Sequence, residues 1–150
     1  MSKDKILFAI AVALFVILFL LNMRETEGSV EAVSIGKFEQ KIFELTNGER
    51  SKKLLLDSCL TSAAYERAKY LETNHIWSHY SPDGTTPWQF LEDCDYRYAG
   101  ENLTKGFDNP TEAHKTLMKS QTHKDNIVNT KFGRMGVGCY GDVCVEYFKN

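Results

Sequence analysis

Met135-Gly136-Val137-Gly138-Cys139-Tyr140-Gly141-Asp142-Val143-Cys144-Val145-Glu146-Tyr147-Phe148 is the stretch that decides the fold. Residue type alternates along it, as in half-buried strands. Gly141-Asp142 supplies the chemistry of a two-residue hairpin turn. Pairing outward from that turn sets Tyr140 against Val143 and Cys139 against Cys144. The second pair is non-hydrogen-bonded, the kind in which side chains approach more closely. A disulfide between Cys139 and Cys144 fits there, with Cα atoms roughly 4.5–5.5 Å apart.

The chain has four cysteines, and four allow three pairings. If Cys139 and Cys144 are joined, Cys59 and Cys94 pair by elimination. A zinc site is the alternative, but the close Cys-Cys knuckles of zinc modules are missing.

Moving back from the hairpin, the pattern turns helical. Asn109-Pro110-Thr111-Glu112 is a helix start, and its helix is expected to run through about Gln121. Tyr96 to Leu103 holds a candidate strand containing Gly100. Thr86-Pro87-Trp88-Gln89 is a capping box opening a short helix through Leu91. Ser81-Pro82-Asp83-Gly84 is turn chemistry. Asp57 or Ser58 caps an earlier helix with Leu60, Ala64, Ala68 and Leu71 as its buried stripe, ending near Asn74. Phe38, Ile42 and Leu45 mark a first helix over 37–50, and Arg50-Ser51-Lys52-Lys53 reads as its solvated end. Helices first and strands later predict an α+β layered domain.

The beginning of the chain reports location. Ile6 to Leu21 is an unbroken apolar run, with Lys3 and Lys5 before it and Arg24, Glu25, Glu27 and Glu31 after it, so that bulk charge is positive before and negative after. That asymmetry places the N-terminus in the cytoplasm and the remainder outside. Residues 1–23 are therefore a signal anchor or a cleaved signal peptide, 24–36 a polar tether, and 37–150 the folded domain. Either fate exports the domain, where cysteines meet an oxidising space. A net charge of −2 with scattered Lys and Arg argues against a nucleic-acid partner. The membrane is the partner expected for the N-terminal helix.

Three polar clusters could carry chemistry: Ser78-His79-Tyr80-Ser81-Pro82-Asp83-Gly84, Ala99-Gly100-Glu101-Asn102-Leu103, and Ser120-Gln121-Thr122-His123-Lys124-Asp125-Asn126-Ile127. Taken singly, each is as well explained by a turn or a helix end. Two imidazoles and a carboxylate together suit a divalent metal or proton transfer. Ser78, Ser81 and Ser120 lie in no nucleophile elbow, and no oxyanion-hole motif is visible. Oxidised cysteines are poor nucleophiles. Tyr70, Trp77, Tyr80, Trp88 and Phe90 gather near the first histidine, either as core or as a groove for an apolar ligand. Asn102-Leu103-Thr104 is a glycosylation sequon that falls inside the second cluster and reads as incidental.

These clusters, in this order, resemble the CAP superfamily (cysteine-rich secretory, antigen-five and pathogenesis-related proteins), in its bacterial and archaeal SCP-like branch. The resemblance runs from about Phe38 to Phe148. It includes Asn47-Gly48-Glu49-Arg50 on the first helix and Leu60, Ala63, Ala64, Arg67 and Ala68 on the second. Gly100-Glu101-Asn102, the Ser120–Ile127 motif and Gly136-Val137-Gly138 complete it. The resemblance implies a three-layer α-β-α sandwich with a cleft where His79, Glu101 and His123 converge. It implies a metal set of His79, Glu101 and His123 holding a divalent ion such as zinc. Two departures stand out. Ser120 occupies the position of the animal branch's second glutamate, so metal binding is expected to be weak and Ser120→Glu to tighten it. Leu117 stands where tryptophan is usual.

Three functions follow as expectations. The first is a non-enzymatic extracellular module whose cleft of His79, Glu101, Ser120 and His123 binds a lipid, an envelope component or a protein. The second is a metal-assisted hydrolase of an envelope polymer or peptide. The third is a structural ectodomain with a vestigial cleft. With the apolar segment and most of the tether removed, a chain starting near Val33 is expected to be soluble and to unfold cooperatively. Aggregation of that shortened chain, beside a full chain that folds in detergent, would show that the N-terminal segment belongs to the core.

Overall fold

The computed structural model describes residues 35–150. The anchor or signal at 1–23 and the tether up to residue 34 lie outside the described residues. Among the described residues, no helix is long and apolar enough to cross a membrane.

The elements, in chain order, are α1 (Lys37–Gly48), β1 (Leu55–Leu56), α2 (Ser58–Thr73), a 3-10 helix (Pro87–Leu91), β2 (Ala99–Lys105), α3 (Pro110–Lys119), α4 (Gln121–Val128), β3 (Arg134–Tyr140) and β4 (Val143–Lys149). This is the expected α+β class. The strands form one sheet in the order β1-β3-β4-β2. β4 pairs antiparallel with both β3 and β2, while the two-residue β1 joins β3 in parallel. β1 has no signature in the sequence, because two leucines are too short a run to show a period.

Local chemistry sets the element starts. Asp57 caps α2, its side chain accepting from the Leu60 amide at 3.0 Å. Thr86 and Gln89 complete a reciprocal capping box on the 3-10 helix. Asn109 caps α3 by accepting from the Thr111 amide at 2.8 Å, with Pro110 in the first turn. The helix expected to continue through Gln121 instead stops at Lys119. Ser120 adopts extended backbone (φ −91°, ψ 121°) and becomes the N-cap position of a new helix, α4. The break turns α4 so that Ile127 is buried against the core while His123 and Asn126 stay at the edge of β2.

Side chains of β4 split between two cores, as a period of two demands. Val143, Val145 and Tyr147 face α2 with Leu60, Ala64, Ala68 and Leu71. Phe148, with Met135 and Val137 of β3, faces Ile42 of α1, Ala113 and Leu117 of α3, and Ile127 of α4. Leu117 is thus a core side chain.

Two glycines let α2 lie down on the sheet. In register, Gly136 opposes Tyr147 and Gly138 opposes Val145, so both are on the α2 face. A Cβ on Gly136 would sit 2.2 Å from the Leu60 carbonyl carbon, and one on Gly138 would sit 2.2 Å from the Tyr65 amide nitrogen. Only hydrogen fits between helix backbone and strand backbone there.

The two disulfides are Cys139–Cys144 and Cys59–Cys94. Cys139 and Cys144 are directly opposed across the β3–β4 hairpin, with a Cα separation of 4.1 Å, shorter than the expected range. Gly141, at φ 56°, takes the left-handed backbone that the turn needs. Cys59 to Cys94 ties α2 to the segment before β2, with Cα atoms 5.6 Å apart.

Arg50 overturns the expectation of a solvated helix end. It is buried, and its guanidinium donates to the carbonyls of Ile127 at 2.6 Å, Asn129 at 2.9 Å and Phe132 at 2.9 Å. The last turn of α4 and the loop after it present carbonyls with no helical partner, and a buried cation satisfies them.

The glycine contacts give a stability test. Gly138→Ala is expected to lower unfolding free energy by about 1–3 kcal/mol or more, because backbone must shift to admit the methyl group. Gly133→Ala is the control, since a Cβ there meets nothing within 4 Å. It is expected to stay within about 0.5 kcal/mol of wild type in urea unfolding.

Candidate functional site

Arg67 organises the site from beneath. It lies on the apolar stripe of α2 and is fully buried. Its Nε donates to Glu101 Oε2 at 3.3 Å. Its Nη2 donates to the carbonyls of Ser78 at 3.2 Å and His79 at 2.8 Å. The guanidinium carbon lies 5.6 Å from the Tyr70 ring centre and 5.3 Å from that of Phe90. Helix, strand and histidine loop are therefore fixed by one planar cation with several donors.

Glu101 stands on β2 and is buried. Its other oxygen, Oε1, is 2.7 Å from His79 Nδ1. A carboxylate there favours a proton on Nδ1, which turns Nε2 outward as the free ring nitrogen. His123, on α4, has its ring centre 6.4 Å from that of His79. Burial, and then the nearby His79, lowers the His123 pKa, so His123 is neutral at neutral pH.

The Gly-Glu-Asn run is explained residue by residue. Gly100 makes room, because a Cβ would sit 2.9 Å from Asn126 Oδ1 and 3.0 Å from Phe132 Cζ. Asn102 is fully buried and donates to Glu146 Oε2 at 3.0 Å and to the His123 carbonyl at 3.3 Å. Asn126 donates to the Glu101 carbonyl at 3.1 Å and to Asn102 Oδ1 at 2.9 Å. These bonds pin α4 to the edge of β2. A fully buried Asn102 in a strand agrees with an incidental sequon.

The cleft has two lobes meeting at His79. One, of about 160 Å³, lies between Trp77, His79, Leu103 and His123. The other, of about 290 Å³, lies between His79, Tyr80, Trp88, Glu101 and Asn126. A roomier depression of about 360 Å³ between the starts of α1 and α2 is lined mainly by Ser58, Thr61, Ser62 and Tyr65. Its titratable groups do not converge, so chemistry rather than volume selects the His79 cleft. The aromatic residues divide between both expected roles. Tyr70, Trp88 and Phe90 pack against the core, while Trp77 and Tyr80 are 53% and 63% exposed.

The structure thus brings His79, Glu101 and His123 to one place. It does not bring Ser120 to the lining of either lobe. Ser120 is the cap position of α4, one turn before His123, and its Oγ is 3.2 Å from Thr122 Oγ1. The set of His79, Glu101 and His123 does not fit a three-ligand metal site. Both Glu101 oxygens are engaged, by Arg67 and by His79. Among the described residues no group of three or more His, Cys, Asp or Glu converges to hold a metal ion. A catalytic zinc takes three protein ligands, and two imidazoles remain.

Three residues of the site, Arg67, Asn126 and Glu146, were given no role in it by the sequence. Arg67 is a charge on the stripe of Leu60, Ala64 and Leu71, and that conflict was the available signal. Asn126 had no signal beyond its motif. Glu146 sits on the β4 face shared with Phe148, again a charge on an apolar face.

A match to the family model of the cysteine-rich secretory protein family, CAP, covers residues 43–148. The protein YkwD of Bacillus subtilis, itself uncharacterized, is 34% identical over 111 residues, 70% of this chain and 43% of that protein. The chain therefore spans under half the length of that relative. A solved extracellular protein containing an SCP domain, from Bacillus anthracis, is 28% identical with a TM-score of 0.72, over 75% of this chain and 40% of that one. A solved outer surface protein of Borrelia burgdorferi is 25% identical with a TM-score of 0.67, over 78% of this chain and 96% of that one.

Glu146 yields a pH prediction. It is buried with Oε1 lacking a partner, and burial pushes its carboxyl up to about 7, opposed by the bond from Asn102. Unfolded, it would titrate near 4.5. Between those values the folded chain holds a proton that the unfolded chain has released, so stability falls as pH rises through the window. The full drop is about 3 kcal/mol. Glu146→Gln is expected to abolish it. The variant should gain on wild type between pH 5 and pH 8 in urea unfolding, and parallel curves would refute the protonation. The matched family model, together with a buried Arg67–Glu101–His79 system on a helix-covered sheet, places this chain in the CAP family.

Proposed function

We propose that this chain is an exported CAP domain that binds a component of the cell envelope in the His79 cleft without transforming it. The observation that carries this reading is the engagement of Glu101. Its charge is matched by Arg67 and its second oxygen orients His79. Glu101 is therefore not free to act as base or nucleophile beside the imidazoles. His79 Nε2, His123 and the exposed rings of Trp77 and Tyr80 then act as contact groups. Among the described residues no serine hydroxyl is hydrogen-bonded to either imidazole: Ser78 Oγ accepts from the Tyr80 amide at 3.2 Å, and Ser81 Oγ is buried.

The two disulfides support an oxidising compartment. The relatives from Bacillus anthracis and Borrelia burgdorferi carry the descriptions extracellular and outer surface, which agrees with export. In this reading Ile6–Leu21 holds the domain at the outer membrane face, or releases it if cleaved.

The test uses the full chain, held in zwitterionic nanodiscs, incubated with an isolated bacterial envelope fraction stripped of membrane lipid. Wild type is expected to co-sediment with it and to release no soluble fragments. His79→Ala and His123→Ala are each expected to weaken binding at least about tenfold with folding intact. Fragment release that is lost in His79→Ala would establish the hydrolase instead. Unchanged binding by both variants would remove the cleft from the function.

A further inference from the structure

The chemistry of the two lobes narrows the ligand class, and this step rests on the cleft being the binding site. Neither lobe is lined by lysine, arginine or aspartate. The single formal charge of the floor, Glu101, is already matched by Arg67 from inside. His123 is neutral. The cleft therefore offers no ionic anchor for a phosphate, a carboxylate or an ammonium group.

What it offers is unspent neutral hydrogen bonding. His79 Nε2 is left over once Nδ1 meets Glu101. The His123 ring and Asn126 Oδ1 make no hydrogen bond among the described residues. Imidazole nitrogens and an amide oxygen suit hydroxyl and amide groups, which both donate and accept. Beside these stand the exposed rings of Trp77 and Tyr80, two residues before His79 and one after it. Flat rings beside neutral polar groups match a molecule with apolar C–H faces and a polar rim.

Two other classes fit less well. An acyl chain needs an enclosed apolar cavity, and the interior on both faces of the sheet is filled by the chain's own side chains. An extended peptide would add to a sheet edge. β2 is the edge strand here, but Asn126 already occupies the Glu101 carbonyl. We infer that the cleft recognises a neutral oligosaccharide, lying across His79 with sugar rings in both lobes and stacked on Trp77 and Tyr80.

The experiment titrates the full chain, held in zwitterionic nanodiscs, with cellotetraose and with the N-acetylglucosamine tetramer. Tryptophan fluorescence and calorimetry follow binding. At least one tetrasaccharide is expected to saturate, with its monosaccharide at least about tenfold weaker. Trp77→Ala and Tyr80→Ala are each expected to weaken it about tenfold with an unchanged unfolding midpoint. Saturable binding that both variants leave intact would overturn the inference. So would failure of both tetrasaccharides to saturate. In the latter case, His79-dependent binding of the envelope fraction would keep the cleft reading and remove only the sugar. Loss of that binding as well would remove both.

Discussion

Arg67 and Glu101 meet in the interior, with their side chains withdrawn from water, and every part of the cleft is attached to one or the other. Desolvating two charges is expensive, and their attraction offsets the cost only when the remaining donors and acceptors also find partners. Here most do, through the Ser78 and His79 carbonyls on one side and the His79 ring on the other, while Arg67 Nη1 has no hydrogen-bond partner. Loss of either member would strand the other as a buried charge, at about 3–5 kcal/mol. The pair is therefore a poor source of net stability and a strong source of specificity. It ties α2, the loop before the turn and β2 into a single arrangement.

That arrangement depends in turn on how near α2 comes to the sheet. Gly136 and Gly138 remove the side chains that would hold the helix away. Gly100 does the same on the other face, where Asn126 and Phe132 close on β2. From there Asn126 reaches the backbone of the edge strand, which leaves the carbonyl of Glu101 unavailable to another chain. Close packing on both faces of the sheet sets the positions of the two imidazoles. It also leaves the cleft shallow, because there is no slack beneath it.

Much of this was legible in the chain. The hairpin followed from a period of two around Gly141-Asp142, and with it the pairing of Cys139 and Cys144. The helix starts at Asp57, Thr86 and Asn109 followed from capping chemistry, which is local. What failed was non-local. Arg50 looked like the solvated end of a helix because its partners, the carbonyls around Ile127 to Phe132, are far off in sequence. The break at Ser120 carries no proline or glycine. It is imposed by the need to seat Ile127 in one core while holding Asn126 against β2.

The sequence by itself determined the class of fold, most of its elements, the hairpin disulfide and the identity of the residues rich in chemistry. Those follow from short-range patterns of hydrophobicity, turn chemistry and charge, each complete within a few residues. Only the tertiary structure decided what those residues can do. It gave both oxygens of Glu101 to internal partners, made Ser120 the start of a new helix, and buried Glu146 beneath Asn102. The physical reason is that a side chain's role depends on which donors, acceptors and charges remain unpaired around it. That remainder is fixed by contacts between elements distant in the chain.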